Sequence, residues 1–143
     1  MEFMIGIVSD HGGFEMKEFI LRNLTDLQWK DYGCFSEDSV DYPDMASTLA
    51  KGLLNGEIDS GIAICGTGIG ISIALNRHKN IRAALCHDLH TVEMARRHNN
   101  ANILALGGRI IKKELVLEMV RKFFEIPFDG GRHEKRVNKL DQI

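Results

Sequence analysis

Short apolar runs alternate along this chain with longer segments in which apolar residues recur every three or four positions. A run of about four to eight apolar residues is typical of a buried strand, and the longer repeat is typical of one face of a helix. The apolar runs, with one weaker segment at 28–32, predict strands at 3–8, 28–32, 58–65, 81–86 and 103–106. The repeating segments predict a first helix through Met16, Ile20, Leu24 and Leu27, and further helices at 44–54, 71–76, 88–98, 114–124 and 132–140.

This alternation of strand and helix predicts an α/β fold. The expected architecture is a Rossmann-like or flavodoxin-like three-layer sandwich, in which helices cover both faces of a five-stranded parallel sheet. Right-handed crossovers leave few topologies, and we predict the strand order 2-1-3-4-5 with a C-terminal helical tail. Because the chain contains no repeat, low-complexity segment or linker, we expect residues 1–143 to form a single domain.

Composition excludes several classes of function. Eighteen Lys and Arg against 20 Asp and Glu give a formal charge of -2, which argues against general binding of nucleic acid. No apolar run approaches the roughly 20 residues that span a bilayer, and the N-terminal segment lacks the features of a secretory signal. The three cysteines are widely spaced and form no CxxC pair for zinc or redox chemistry. We therefore expect a cytoplasmic protein without membrane or nucleic-acid partners.

The predicted fold brings two unusual loops together. In parallel sheets, ligands bind beyond the carboxyl ends of the strands, at the switch point between strands 1 and 3. Asp10 and His11 follow the first of these strands, and Gly66, Gly68 and Gly70 follow the other. Alternating glycines at a strand-to-helix turn allow backbone N–H groups to approach an anion, although they also suit a tight turn that needs glycine only for packing. The spacing matches neither a dinucleotide fingerprint nor a P-loop.

Cys65 lies where the third strand enters this glycine loop. A free thiol has a pKa of about 8.5, and a helix N-terminus lowers that pKa and makes the thiolate a competent base or nucleophile. Buried packing is the usual role of a lone cysteine, and it is our interpretation of Cys34 and Cys86. The position at the switch point favours a functional role for Cys65.

Further candidates lie near the C-terminal half of the chain. His98 is a possible acid or base, or else a cation at a helix C-terminus. Arg132 and Arg136 lie four residues apart on one face of the last helix, where their donors suit a phosphate monoester or form a solvated basic face, and Arg109 is a possible third donor. Four other histidines have no metal-ligand spacing and are interpreted as surface or packing residues: His78, His87, His90 and His133. Together these residues suggest a small phosphorylated substrate and no metal.

Five motifs in order resemble the type B ribose-5-phosphate isomerase family over nearly the whole chain. They are Ser9-Asp10-His11-Gly12-Gly13-Phe14, Asp41-Tyr42-Pro43, Ile64-Cys65-Gly66-Thr67-Gly68-Ile69-Gly70, His98-Asn99-Asn100-Ala101-Asn102, and Gly130-Gly131-Arg132-His133 with Arg136. The resemblance implies a Rossmann-like fold and interconversion of ribose 5-phosphate and ribulose 5-phosphate in the pentose phosphate pathway, without a metal or organic cofactor. It also implies a homodimer, or a dimer of dimers, with active sites shared between subunits.

The resemblance further implies a role for each site residue. Cys65 moves a proton between C1 and C2 through an enediolate, and His98 acts on the ring oxygen to open the furanose. The oxyanion is held by the loop amides with the help of a hydroxyl group: Gly66, Thr67, Gly68, Ile69 and Gly70. The sugar is bound by Asp10 and Asn99 and flanked by Tyr42 from the long polar loop. The phosphate is surrounded by His11, Arg109, Arg132 and Arg136.

Differences between branches of the family indicate the substrate. Some members carry a glutamate just after the glycine loop in place of the cysteine, whereas this chain has Ile71 there, so Cys65 is the evident base. His98 and the paired arginines favour a pentose phosphate over the substrate of the related galactose-6-phosphate isomerase subunits. A phosphorylated hexose such as allose 6-phosphate is an alternative substrate, and a non-catalytic phosphosugar-binding module is an alternative function.

Overall fold

Strands and helices alternate through residues 2–143, which the computed structural model describes. The strands are β1 (Met4–Ser9), β2 (Gln28–Asp31), β3 (Ser60–Cys65), β4 (Ala83–Leu85) and β5 (Ile103–Gly107). The helices are α1 (Phe14–Asn23), α2 (Tyr42–Leu54), α3 (Ile69–Asn76), α4 (Leu89–Arg97), α5 (Lys113–Glu125) and α6 (Arg132–Leu140). None of the helices within this range has the length and apolar character needed to cross a bilayer.

All five strands pair in parallel, in the order β2-β1-β3-β5-β4. The predicted sheet is thus confirmed, but the predicted order 2-1-3-4-5 is wrong at one end, because β5 lies between β3 and β4. Burial explains the exchange: every residue of β5 is buried, whereas the three residues of β4 are only half-buried. A strand that is apolar on both faces is stabilised most by burial in the interior of the sheet. A short strand is suited to the edge.

The strand order also decides which helices share a face. Right-handed crossovers place α2 and α3 on one face, and they place α1, α4 and α5 on the other. Side chains of β3 alternate between these layers: Ile62 and Ile64 pack with α1 and α5, while Ala63 and Cys65 pack with α2 and α3. The Cys65 side chain therefore emerges on the α3 side of the sheet.

Two helices begin earlier than their periodicity predicts. The helix expected at 44–54 begins at Tyr42, because Pro43 is well tolerated in the first turn, where its missing N–H would have no partner. The helix expected at 71–76 begins at Ile69, directly after Gly68. Tyr42 consequently lies on a helix rather than in the long loop, and Ile69 and Gly70 contribute first-turn N–H groups.

A buried ion pair joins α1 to the end of β2. Lys17 has no exposed side-chain surface, and its Nζ donates to Asp31 Oδ2 at 2.8 Å. The other oxygen of the Asp31 carboxylate accepts from the Gly33 N–H at 2.8 Å. This contact positions the start of the segment 33–41, and near the end of that segment the Val40 N–H donates to His11 Nδ1 at 3.2 Å.

We expect Asp31→Ala to lower the free energy of unfolding by about 3 kcal/mol, because it leaves a buried ammonium without its nearest carboxylate. Glu18 then remains as the partner of Lys17, at the longer distance of 3.3 Å. Lys17→Met should lower the free energy of unfolding by less, since it removes the buried charge that needs a carboxylate partner. Urea denaturation measures both changes.

Asp26→Ala is the matched control, because Asp26 also pairs with a cation, Arg121, but at an exposed site. An exposed pair contributes no more than about 1 kcal/mol. Equal losses for Asp31→Ala and Asp26→Ala would contradict the assignment of Lys17 as a costly buried charge.

Candidate active site

Three loops meet at the carboxyl edge of the sheet, after β1, β3 and β5. Asp10 N–H donates to the Ile64 carbonyl at 3.1 Å, and Gly108 N–H donates to the Cys65 carbonyl at 2.8 Å. Arg109 N–H donates to the Gly66 carbonyl at 3.0 Å. The predicted meeting of the first and third strand ends is therefore present. The loop after β5 joins them because β5 is the direct neighbour of β3.

The Cys65 thiol is buried at the start of α3, and the Gly68 N–H donates to its Sγ at 3.2 Å. An N–H donor at a helix N-terminus carries partial positive charge, and here it points at the sulfur. Cys86 has a different environment within the core, where burial raises the pKa of its thiol to about 11. Its thiol therefore stays protonated at neutral pH.

Gly68 can direct its N–H at Cys65 because its backbone is left-handed, with φ of 80°. A Cβ at this position would lie 2.8 Å from the Leu106 carbonyl carbon and 3.0 Å from the Gly107 nitrogen. Backbone on β5 cannot yield as a flexible side chain can, so both the conformation and the space require glycine.

Several donors of the glycine loop are available to an anion. Ile69 N–H donates to Thr67 Oγ1 at 3.2 Å, whereas the N–H groups of Gly66 and Thr67 have no acceptor among the described residues. First-turn N–H groups of a helix, such as that of Gly70, also lack an intrahelical partner. The loop thus presents donors within a few residues of the Cys65 thiol.

Two side chains flank this loop. The Tyr42 ring packs over Gly70, where an added Cβ would lie 2.7 Å from the ring carbon Cζ. The Arg109 guanidinium lies over Gly66, with Nη1 3.2 Å from the position of an added Cβ. The first loop contributes Asp10 and His11.

Asp10 is buried, and its Oδ1 accepts from the Gly13 N–H at 3.1 Å within the turn that precedes α1. His11 Nδ1 accepts from a backbone N–H, so in its neutral form the imidazole carries its proton on Nε2. That N–H is then a donor held in place by the segment 33–41.

The other predicted site residues lie at the opposite edge of the sheet. Ile103 at the start of β5 pairs with Gly61, and Gly107 at its end pairs with Cys65. The four residue steps between them span about 13 Å. His98 and Asn99 precede β5. Within one chain, they are therefore farther from Cys65 than a five-carbon sugar phosphate extends.

The tail helix packs at this same amino edge. The imidazole rings of His98 and His133 are stacked, with centroids 4.2 Å apart and planes inclined by 12°. Of the two interpretations given to His133, surface or packing, the structure supports packing. The stacking partner was not predicted, because the two positions belong to elements far apart in sequence. Asn99 lines a nearby cavity of about 490 Å³ together with Arg82 and Asp141.

Three predicted phosphate-binding arginines are free of carboxylates. Arg82, Arg97 and Arg121 each form an ion pair. In the part of the chain that the structure describes, no acidic group pairs with Arg109, Arg132 or Arg136, and the same holds for Arg22, Arg77 and Arg96. The guanidinium groups of the first three remain available to an anionic ligand.

Comparison with known proteins relates this site to one enzyme family. Residues 5–140 match the family model described as Ribose/Galactose Isomerase. Ribose-5-phosphate isomerase B of Escherichia coli is 40% identical over 136 residues, which cover 94% of this chain and 91% of the relative.

Solved structures agree over the whole fold. The structure of a ribose 5-phosphate isomerase from Thermotoga maritima superposes with a TM-score of 0.96 and 48% identity, covering 100% of both chains. Ribose-5-phosphate isomerase B of Clostridium thermocellum gives a TM-score of 0.95 and 45% identity, covering 98% of this chain and 96% of its own. With one family model spanning β1 to α6 and close relatives along its full length, the chain belongs to the ribose/galactose isomerase family.

Proposed function

We propose that this protein is an aldose-ketose isomerase that interconverts ribose 5-phosphate and ribulose 5-phosphate. The observation that carries the proposal is the Gly68 N–H donated to Cys65 Sγ, within a loop that presents further unpaired donors. A stabilised thiolate beside an oxyanion site is what proton transfer next to a carbonyl requires. Relatives in the same family bear the name of this enzyme.

The reaction needs one carbon-bound proton to move and one negative charge to be held. The Cys65 thiolate takes the proton from C2 of the open-chain aldose, and electrons from the broken C–H bond form the enediolate. The thiol then returns the proton to C1. The proton of the C2 hydroxyl moves to the oxygen on C1, so that C2 becomes the ketone and C1 carries the new hydroxyl. N–H groups of Gly66 to Gly70, with Thr67, hold the developing charge, and each such donor is worth about 3–4 kcal/mol of barrier.

The phosphate at the other end of the substrate is held by the His11 Nε2–H donor and by the Arg109 guanidinium cation. His11 and Arg109 lie at the Cys65 edge and are proposed to bind the phosphate. Asp10 and Tyr42, at the same edge, are proposed to bind and flank the sugar. The scheme uses only groups of the protein, and we expect no cofactor.

The second group of site residues is proposed to come from another copy of the chain. His98 would open the furanose, Asn99 would bind sugar hydroxyls, and Arg132 and Arg136 would complete the phosphate site. Because these residues lie across the sheet from Cys65, a homodimer or a dimer of dimers with shared sites would unite them.

Exposed apolar surface beside the glycine loop supports this arrangement. Ile69 and Ile73 lie four residues apart on α3 and are 52% and 54% exposed. Two large apolar side chains on one helix face are a surface that a second copy would cover.

The three cysteines are all buried and unpaired, which suits the reducing conditions of the cytoplasm.

The first test is turnover of ribose 5-phosphate in buffer with EDTA, comparing the unaltered protein with Cys65→Ala. We expect robust ketose formation by the unaltered protein and a loss of about 10³-fold in kcat in the variant, because the carbon acid loses its base. Allose 6-phosphate is assayed alongside. Preference for the hexose would replace the assigned substrate, and no turnover of either sugar would favour a binding module.

Cys34→Ala and Cys86→Ala are the controls for this variant, since both thiols are buried away from the glycine loop. Each should retain turnover. Near-normal activity of Cys65→Ala, with circular dichroism unchanged, would exclude Cys65 as the base.

Sharing of the site between copies predicts that two inactive variants restore each other. Cys65→Ala and His98→Asn are mixed, unfolded together and refolded. Half of the randomly formed dimers are mixed and carry one intact site of two, so about a quarter of the activity should return. If each site belongs to one chain, the mixture stays inactive.

Arg136→Ala is expected to raise KM for ribose 5-phosphate by about 10–100-fold with a smaller effect on kcat. A phosphate remote from the reacting carbons is bound about equally in the ground and transition states, so its loss weakens binding. Lys135→Ala, an exposed neighbour on the same helix, is the matched control and should leave KM unchanged. An unchanged KM in Arg136→Ala would contradict the phosphate role.

A further inference from the structure

The His98 ring makes a stacking contact and, within the part of the chain that the structure describes, no hydrogen bond. His98 ends α4, where its backbone N–H donates to the Met94 carbonyl at 2.9 Å. Among the described residues, no hydrogen bond reaches either ring nitrogen of His98. The ring is instead stacked on His133, which is itself buried on the inner face of α6 beside Val137. Stacking is therefore the contact that determines where the His98 nitrogens point.

The charges around His133 favour its neutral form. Burial, together with the charges of His98, Arg132 and Arg136, lowers the pKa of His133, and Asp129 opposes the shift to a smaller degree. Two arginines lie at this end of α4: Arg97 is engaged by Glu93 and Asp129, and Arg96 donates to the carbonyls of Ile126 and Ala101. Because a neutral imidazole carries no charge, it can stay stacked on a ring that gains and loses a proton, and the two rings do not repel each other.

The same residues also suggest a metal site, which the ring geometry argues against. His98, Asp129 and His133 each bring a possible ligand atom within 4.8 Å of the others. A metal ion binds an imidazole nitrogen along its lone pair, in the plane of the ring. Two stacked rings inclined by only 12° have no common in-plane point nearby, so one ion cannot bind both without rotation of a ring.

We infer that His133 is a positioning residue for sugar-ring opening, and that its stacked imidazole holds His98 in the orientation needed to reach the ring oxygen of the substrate. The inference rests on the proposed function and extends it by a residue that does not itself touch the substrate. In the step concerned, the bond between C1 and the ring oxygen breaks, the ring oxygen gains a proton and the C1 hydroxyl loses one. Proton transfer of this kind requires hydrogen-bonding distance, so rotation of His98 would slow it.

Two substitutions separate stacking from direct chemistry by His133. His133→Ala removes the ring and should lower kcat for ribose 5-phosphate by about 10–100-fold, the loss typical of a misplaced catalytic group, with KM changed less than about threefold. His133→Phe keeps a flat ring without nitrogens and should restore at least about half of the unaltered kcat, because only packing is needed. His90→Ala, at an exposed histidine on the same helix as His98, is the control and should leave kcat unchanged.

A double variant tests whether His133 acts through His98. With His98→Asn already present, adding His133→Ala should cause no further loss of kcat, because there is no imidazole left to orient. All assays contain EDTA to exclude an effect of bound metal.

Three kinetic results would overturn the inference: normal kcat in His133→Ala, a His133→Phe variant as slow as His133→Ala, or additive losses in the double variant. If His133→Ala does not fold, nuclear Overhauser contacts between the two rings in the unaltered protein decide whether the stack exists in solution, and their absence also overturns it. Lack of turnover by the unaltered protein would refute the proposed function and this inference with it. Normal turnover by His133→Ala would refute the inference alone.

Discussion

The site at the carboxyl edge depends on one hydrogen bond, from the Gly68 N–H to Cys65 Sγ. Gly68 makes it only in a left-handed conformation, pressed against the backbone at the end of β5. The bond therefore requires glycine at this position, β5 beside β3, and an α3 that begins immediately afterwards. The donated N–H directs the partial positive charge of the helix N-terminus at the sulfur.

The parallel sheet imposes a second constraint. All strands run in one direction, so loops that follow strands gather at one edge and loops that precede them gather at the other. The glycine loop belongs to the first set, and His98 with the tail arginines belongs to the second. No rearrangement of side chains can bridge the length of a strand. This separation is the reason for the proposal that two copies share each site, with the exposed isoleucines of α3 as the proposed surface for the second copy.

Stability and site geometry are connected through the segment that precedes α2. The buried Lys17–Asp31 pair positions Gly33, and the Val40 N–H at the far end of this segment orients the His11 ring. An ion pair with one fully buried partner gains little free energy over apolar packing. Its directional contacts do, however, define the path of the chain that leads to the backbone N–H bound by His11, the histidine proposed to bind phosphate. The His98–His133 stack supplies a comparable constraint at the other edge, by packing rather than by charge.

The strands and helices of this molecule could be predicted from its sequence, because the spacing of apolar residues along the chain depends on local backbone geometry. Apolar runs and helical repeats indicated every strand and helix, and the switch-point rule placed Asp10 beside the loop of Cys65. Helix starts were less accurate, since Pro43 in the first turn of α2 and Gly68 just before α3 add nothing to the apolar periodicity of these helices.

What the tertiary structure decided was the order of β4 and β5, the division of the site residues between two edges, and the pairing of His98 with His133. Each depends on contacts between segments far apart in the chain. Hydrophobic periodicity reports that a residue is buried, but it does not report which residue it is buried against.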